Sequence, residues 1–196
     1  MLFSSITFLF IFLPLTLLLY YLVPFRMKNY VMLAASLIFY AWGEPVYIIL
    51  MILSIILNYF CGQDIYEKRD NARAMKRSLI FGVVMNLLIL GFFKYYGLLM
   101  ENLNGILPFQ IPYKELPLPI GISFYTFQAM SYLIDVYRKE VKPQENVLYF
   151  ALYISMFPQL IAGPIVRYID IEEQLKERSI NSTKFGEGAM YFIRGL

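Results

Sequence analysis

Long uncharged stretches alternate with short charged segments along the whole chain. Met1 to Phe25 contains no charged side chain, and apolar runs of similar length recur as far as Val166. A hydrocarbon core about 30 Å thick needs about 20 apolar residues in helical form, because the backbone polar groups must be satisfied within the segment. The pattern therefore predicts an all-α fold, a polytopic bundle of transmembrane helices.

Six apolar segments make up this pattern, at residues 6–23, 29–42, 46–61, 78–100, 118–134 and 146–166. Pro158, Gly163 and Pro164 interrupt the helical pattern of the last one. We expect five to six spans, with residues 146–166 forming a re-entrant segment or, as the alternative, a complete span. Non-helical backbone at membrane depth is tolerated where it lines a cavity, so the sequence FPQLIAGP (157–164) is a candidate cavity wall.

The basic residues indicate an orientation. They follow the first, third and fifth apolar segments, as Arg26, Lys28, Lys68, Arg69, Arg73, Lys76, Arg77, Arg138, Lys139 and Lys142. Lysine and arginine that flank short spans favour the cytoplasmic side. We therefore expect an N-terminus outside the cell, with the odd-numbered loops in the cytoplasm.

Composition limits the chemistry. The chain has 59% hydrophobic residues, only 16% charged residues and a net charge of +3, so a nucleic-acid partner is not expected. It has no histidine and a single cysteine, Cys61, which argues against a disulfide or a metal site. We find no nucleophile elbow, Walker A loop or H-E-x-x-H motif, and we assign no catalytic residue.

A few polar side chains stand out within the apolar runs. Gln128 and Gln159, together with Arg167 directly after the last run, are the candidates for lining a substrate path, and Gln159 lies beside Pro158 in the expected re-entrant stretch. Polar residues also bridge membrane helices, and we expect this role for Asn58 and Asn86.

Asp135 at the end of the fifth segment has two interpretations. It precedes Arg138 by three residues, so both lie on one helical face. An intramembrane acid would handle protons or substrate. We favour the alternative, in which Asp135 and Arg138 form an interfacial ion pair that closes the helix.

The tail continues with further helical signals. Asp170 to Arg178 has a helical composition with mixed charge, and Asn181, Ser182 and Thr183 predict a break and a new helix cap. An apolar run that opens at Ala189 ends with the sequence. We therefore expect residues 1–196 to be the N-terminal part of a single membrane domain in a longer protein.

Several segments carry a resemblance that covers essentially the whole chain, and two of them are the clearest. LPIGISFYTFQAMSYLIDVYR (118–138) and MFPQLIAGPIVRY (156–168) resemble the membrane-bound O-acyltransferase family, and within it the alginate O-acetylase branch. The resemblance implies a ring of tilted helices around a thinned centre of a bacterial inner membrane. It also implies a cytoplasmic acyl donor such as acetyl-CoA, used as a substrate rather than as a bound cofactor, and partner proteins that modify an exopolysaccharide.

The chain departs from that family in one respect. The family's catalytic histidine belongs to a downstream half, and this sequence has no histidine to take its role. We therefore expect a truncated O-acetyltransferase of a cell-surface polysaccharide that is inactive alone. The alternative is a non-catalytic membrane scaffold or a partner-binding subunit, surrounded by membrane lipid.

Overall fold

The computed structural model describes residues 5–107, 109–114, 116–160, 166–178 and 181–195. All regular secondary structure in these residues is helical, as the sequence predicts. A π-helical segment, Phe8–Phe12, precedes nine α-helices in the described chain: α1 (Leu13–Leu22), α2 (Phe25–Gly43), α3 (Ile48–Glu67), α4 (Ala72–Ile106), α5 (Ile122–Tyr137), α6 (Val147–Ser155), α7 (Phe157–Leu160), α8 (Tyr168–Lys176) and α9 (Ser182–Gly195).

Two of these helices are long and apolar enough to cross a membrane. They are α3, with 20 residues, and α4, with 35 residues. At about 1.5 Å of rise per residue, α4 extends well beyond the thickness of a hydrocarbon core. The segment Phe8–Leu22 is apolar but shorter. The expected total of five to six spans remains a prediction.

The π-helical segment accommodates Pro14. The amide of Leu13 donates to Phe8 O, one residue further back than in an α-helix. Pro14 has no N–H to donate to Phe10 O, so the wider turn lies where the regular hydrogen-bond pattern is already interrupted. The proline is thereby retained within a continuous helical segment.

The second helix is longer than the sequence predicts. It begins at Phe25, directly after Pro24, so Arg26 and Lys28 lie in its first turn rather than in a loop. The Lys28 side chain is buried, and its Nζ donates to Tyr20 O at 2.7 Å. This hydrogen bond ties the end of α1 to the start of α2.

The fifth helix starts later than predicted, at Ile122 instead of Leu118. Gly121 precedes it with φ +77°, a left-handed conformation that favours glycine. A Cβ at Gly121 would also lie 3.0 Å from Leu160 O. Pro119 and Gly121 thus keep the first residues of this apolar segment out of the helix.

The core forms around α5, which packs against α3 and α4. Two glycines allow this close approach. A Cβ at Gly62 would lie 2.8 Å from Tyr132 Cε1, and one at Gly82 would lie 2.6 Å from Leu133 Cδ1. Tyr132 and Leu133 of α5 are fully buried. Small residues at the interface are a common way for membrane helices to pack closely.

Asn58 and Asn86 bridge α3 and α4. Each amide donates to the other, with Nδ2 to Oδ1 distances of 3.1 and 2.7 Å. Each also donates to a carbonyl one turn earlier in its own helix, at Ser54 and Gly82. The packing role that the sequence predicts for this pair is confirmed.

The apolar stretch after Asn146 breaks earlier than its prolines suggest. Helix α6 ends at Ser155, and Met156 leaves the helical conformation with φ −52° and ψ 112°. Pro158 then lies inside the short helix α7. The re-entrant path, with Gly163 and Pro164, falls on residues 161–165, which lie outside the described residues, so it remains a prediction.

The tail folds as the sequence predicts. The expected helix over residues 170–178 corresponds to α8, which begins at Tyr168 and ends at Lys176. The expected new cap is present at Asn181, whose Oδ1 accepts a hydrogen bond from Lys184 N at 2.7 Å. Helix α9 follows this cap.

Candidate functional site

Two of the three candidate residues meet at one backbone atom. Gln128 Nε2 donates to Tyr153 O at 2.8 Å, and Gln159 Nε2 donates to the same oxygen at 2.9 Å. Gln128 comes from α5 and is buried, whereas Gln159 comes from α7 and is half-buried. The two amides therefore fix the end of α6 from two neighbouring helices.

The carbonyl of Tyr153 has no backbone partner within the helix, because α6 ends two residues later. In a longer helix it would accept from Phe157 N, but that amide donates to Ser36 Oγ of α2 at 3.3 Å. Pro158 has no N–H to donate to the next carbonyl along the helix, Ile154 O. A buried carbonyl without a donor is costly, and the two glutamine amides satisfy it.

The hydroxyl of Tyr153 extends this junction. It donates to Val166 O at 3.1 Å and lies 3.3 Å from Gln128 O. The residue is fully buried, and its ring centroid lies 5.3 Å from that of Tyr168. We call Gln128, Tyr153, Gln159 and Val166 the Tyr153 junction.

Tyr153 does not stand out in the sequence. The available signal is a tyrosine in the middle of the uncharged run from Asn146 to Val166, since a buried phenol needs a partner for its hydroxyl. That signal identifies a residue under constraint but does not give its partners.

Arg167, the third candidate, lies next to the junction and is held by two carboxylates. Its Nη2 lies 2.5 Å from Asp135 Oδ1 and 2.7 Å from Glu140 Oε2, and its Nε lies 3.3 Å from Asp135 Oδ2. The Asp135 side chain is only 3% exposed, whereas that of Arg167 is 44% exposed. The guanidinium thus covers a buried carboxylate.

The predicted pair of Asp135 with Arg138 is wrong. Arg138 Nη1 lies 3.8 Å from Glu140 Oε1 instead. Arg138 directly follows the last residue of α5 and its side chain is exposed, while Asp135 belongs to the buried face of α5. Helix periodicity identifies the correct acid, but the partner of Asp135 comes from a distant part of the chain.

The two carboxylates stabilise the charged form of Arg167. Hydrogen bonds to Asp135 and Glu140 raise the pKa of the Arg167 guanidinium above its ordinary value. Two cations, Arg167 and Arg138, face the two carboxylates of Asp135 and Glu140, so the local charge is balanced. In this arrangement Arg167 positions the chain after the break and has little free capacity to attract an anionic substrate.

A second polar contact supports the same region. Gln144 N donates to Tyr132 Oη at 3.1 Å, and Gln144 Nε2 donates to Tyr168 Oη at 2.8 Å. Burial raises the pKa of the Tyr168 hydroxyl, with a smaller contribution from Glu172, so this phenol stays neutral. The turn before α6 is thereby anchored to α5 and α8.

This arrangement holds backbone and amide groups in fixed positions. Within the described ranges, no group of three or more histidine, cysteine, aspartate or glutamate side chains could hold a metal ion. The polar groups of the Tyr153 junction bind one another. The geometry suits a rigid, polar wall better than a proton-transfer centre.

Comparison with curated proteins gives matches along the whole chain. It is 42% identical to a probable alginate O-acetylase of Pseudomonas aeruginosa, over all of this chain and 38% of that protein. It is 41% identical to one of Azotobacter vinelandii, covering 40% of it, and 34% identical to a peptidoglycan O-acetyltransferase of Helicobacter pylori, covering 43% of it. The chain thus spans about two fifths of the length of these relatives.

These matches confirm the resemblance to alginate O-acetylases. No family model and no solved structure matches the chain. The relatives, together with the two long apolar helices, indicate a membrane protein.

Proposed function

We propose that this chain is part of a membrane O-acetyltransferase that acts on a cell-surface polysaccharide. The observation that carries the proposal is the similarity of the whole chain to proteins named as acetylases of two different polymers, alginate and peptidoglycan. The reaction common to those names is transfer of an acetyl group to a hydroxyl oxygen of a polysaccharide. The family is then that of the membrane-bound O-acyltransferases, in a bacterial inner membrane.

In this proposal, the described residues supply the frame of the transfer path. Gln128 and Gln159 fix the broken end of α6 at Tyr153 O, and Arg167 fixes the chain that follows. Such contacts keep an irregular backbone in one position, as a path through a membrane requires. The acyl donor, acetyl-CoA or a related thioester, approaches from the cytoplasmic side.

The orientation and partners follow the same proposal. The N-terminus lies outside, the loops rich in lysine and arginine lie in the cytoplasm, and the acetyl group passes outward to proteins that modify the polysaccharide. These periplasmic proteins and the surrounding lipid are the partners.

The chain alone is inactive in this proposal, because it has no histidine. A general base typically accelerates a reaction by a factor of about 10² to 10⁴. Its loss leaves little turnover.

A non-catalytic scaffold or partner-binding subunit is the second candidate. One observation favours it. Gln128, Gln159 and Arg167 all bind other groups of this chain. A scaffold predicts stable association with other membrane or periplasmic proteins and no acetyl transfer in any context.

A chimera tests these functions. The chain replaces the matching two fifths of the P. aeruginosa relative in a strain that lacks that relative, and the acetyl ester content of the secreted alginate is measured. We expect acetylation with the chimera and none with the 196-residue chain alone. A chimera that elutes as a folded monodisperse protein but yields no ester would overturn the acetyltransferase proposal, and ester formed by the chain alone would overturn its inactivity.

A further inference from the structure

A basic pocket opens at the end of the bundle that carries the lysine-rich and arginine-rich loops. It has a volume of about 360 Å³ and lies between the end of α3, the start of α4 and the turn after α5. Its floor is apolar and buried, formed by Ile65, Met75, Val136 and Val141. Its rim carries three exposed cations, Arg69, Lys139 and Lys142. We call these residues, with Tyr66 and Glu140, the basic pocket.

The three cations of the rim are not neutralised. Among the described residues, Arg69, Lys139 and Lys142 form no ion pair with any carboxylate. Glu140 also lines the pocket, but its Oε2 is held by Arg167 at 2.7 Å. Arg69 is held over the ring of Tyr66, with its Cζ 4.4 Å from the ring centroid. The pocket therefore presents an excess of positive charge around an apolar floor.

The backbone of Lys139 adds a second, independent observation. It has φ +62°, in the left-handed region, and no other described residue except a glycine has a positive φ. Its N–H donates to Val136 O, and the next N–H, of Glu140, donates to Asp135 O. These two hydrogen bonds form a Schellman motif, whose left-handed position is usually glycine.

A lysine at that position is less favourable than a glycine, because its Cβ crowds the backbone in the left-handed conformation. Strained positions of this kind cluster at functional sites. The lysine side chain at the rim of a cationic pocket therefore points to a role that glycine could not fill.

We propose that the basic pocket binds the phosphate groups of an anionic ligand. Lysine ammonium and arginine guanidinium groups form charge-assisted hydrogen bonds with phosphate oxygens. The apolar floor accommodates a non-polar part next to the phosphate. The phosphate belongs either to a soluble nucleotide or to the headgroup of an anionic phospholipid. This inference goes beyond the proposed function and does not depend on it.

Binding measurements on the 196-residue chain in phosphatidylcholine nanodiscs test the proposal. The probes are inorganic pyrophosphate, adenosine 3′,5′-bisphosphate, and phosphatidylglycerol added to the nanodisc. Hydrogen bonds to a charged donor are stronger than those between neutral groups, so Lys139→Gly should weaken binding about tenfold or more. Lys76→Gln is the matched control, since Lys76 is an exposed cation of α4 that does not line the pocket.

Lys139→Gly is a sharp test because it removes the charge and keeps the turn. It should leave the thermal stability of the chain unchanged or raise it, so a loss of binding is not a loss of folding. Binding of pyrophosphate or the bisphosphate identifies a soluble ligand, and binding of phosphatidylglycerol alone identifies a lipid.

Two results would overturn the proposal. One is that none of the three probes binds, and the other is that Lys139→Gly binds as well as the unchanged chain. Failure of the chimera to acetylate alginate affects neither measurement.

Discussion

Arg167 Nη2 lies 2.5 Å from Asp135 Oδ1, although 32 residues separate the two in the chain. This contact covers a carboxylate whose side chain is only 3% exposed. Removing one partner of a buried pair leaves an uncompensated charge, and that is far more costly than losing a surface pair. Arg167 is therefore expected to act through Asp135 in stabilising the fold.

Arg167→Ala should lower the melting temperature of the chain in detergent, because Asp135 then lacks its partner. Adding Asp135→Asn to that variant should restore part of the loss, because the buried charge is gone. Arg138→Ala is the control. Arg138 lies 3.8 Å from Glu140 with an exposed side chain, so its loss should change the stability by no more than about 0.5 kcal/mol.

The result that contradicts this interpretation is equal destabilisation by Arg167→Ala and Arg138→Ala. Additive effects of Arg167→Ala and Asp135→Asn would also contradict it, because residues that form one ion pair show a coupling energy.

The sequence predicts the helix bodies well because hydrophobic runs and caps are local signals. The cap at Asn181 and the helix of residues 168–176 follow from a few adjacent residues. The helix ends are predicted less well, since Met156 leaves the helical conformation without being proline or glycine. The sequence pattern places Lys28 in a loop. Its burial also depends on tertiary contacts, which the pattern does not contain.

The candidate site shows the same limit. The rule that polar residues in apolar runs are constrained identifies Gln128 and Gln159, but it cannot show that both bind Tyr153 O. That convergence depends on where α6 ends and on a donor, Phe157 N, that binds Ser36 instead. The partner of Asp135 was missed for a related reason, because helix periodicity considers only neighbours along one helix.

The two glutamines should be energetically coupled. Gln128→Met or Gln159→Met alone leaves one donor on Tyr153 O, so each should cost about 0.6 kcal/mol. The double variant leaves a buried carbonyl unsatisfied and should cost about 1 to 3 kcal/mol more than the sum of the two. Gln174→Met, at an exposed position of α8, is the control. The measurement is a double-mutant cycle of unfolding free energies in bicelles. A coupling energy near zero would show that sharing the Tyr153 carbonyl does not contribute to stability.

Asn58 and Asn86, the pair between α3 and α4, should also be energetically coupled, but the sign of their coupling energy should be opposite to that of the two glutamines. Asn58→Leu or Asn86→Leu alone removes both hydrogen bonds of the pair and one within its own helix, and leaves a buried amide partly unpaired, at a cost of about 0.6 to 2 kcal/mol. The double variant should cost less than the sum, because no polar group is then left without its partner. The free energies of unfolding of the two single variants and the double variant give this coupling energy.

Asn102→Leu is the control for the asparagine pair. Asn102 also donates to a carbonyl one turn earlier, Leu98 O, but it is exposed. Its substitution should stay within about 0.5 kcal/mol of the unchanged chain. Strict additivity of Asn58→Leu and Asn86→Leu would be inconsistent with a reciprocal amide pair.

Substituting alanine for two glycines of α4 should change the stability of the chain in opposite directions. A Cβ at Gly82 would lie 2.6 Å from Leu133 Cδ1, and Leu133 is fully buried, so Gly82→Ala should destabilise the chain by about 1 to 3 kcal/mol. A Cβ at Gly91 meets no heavy atom within 4 Å, so Gly91→Ala should stabilise the helix by about 0.5 to 1 kcal/mol.

Leu133→Ala separates steric overlap from other causes. In that background the Cδ1 atom is absent, so adding Gly82→Ala should cost little or nothing, although Leu133→Ala itself destabilises the core. Chemical denaturation of the four variants in bicelles gives the energies. If Gly82→Ala costs as much with alanine at position 133 as with leucine, close packing of α4 on α5 at this point is not what requires the glycine.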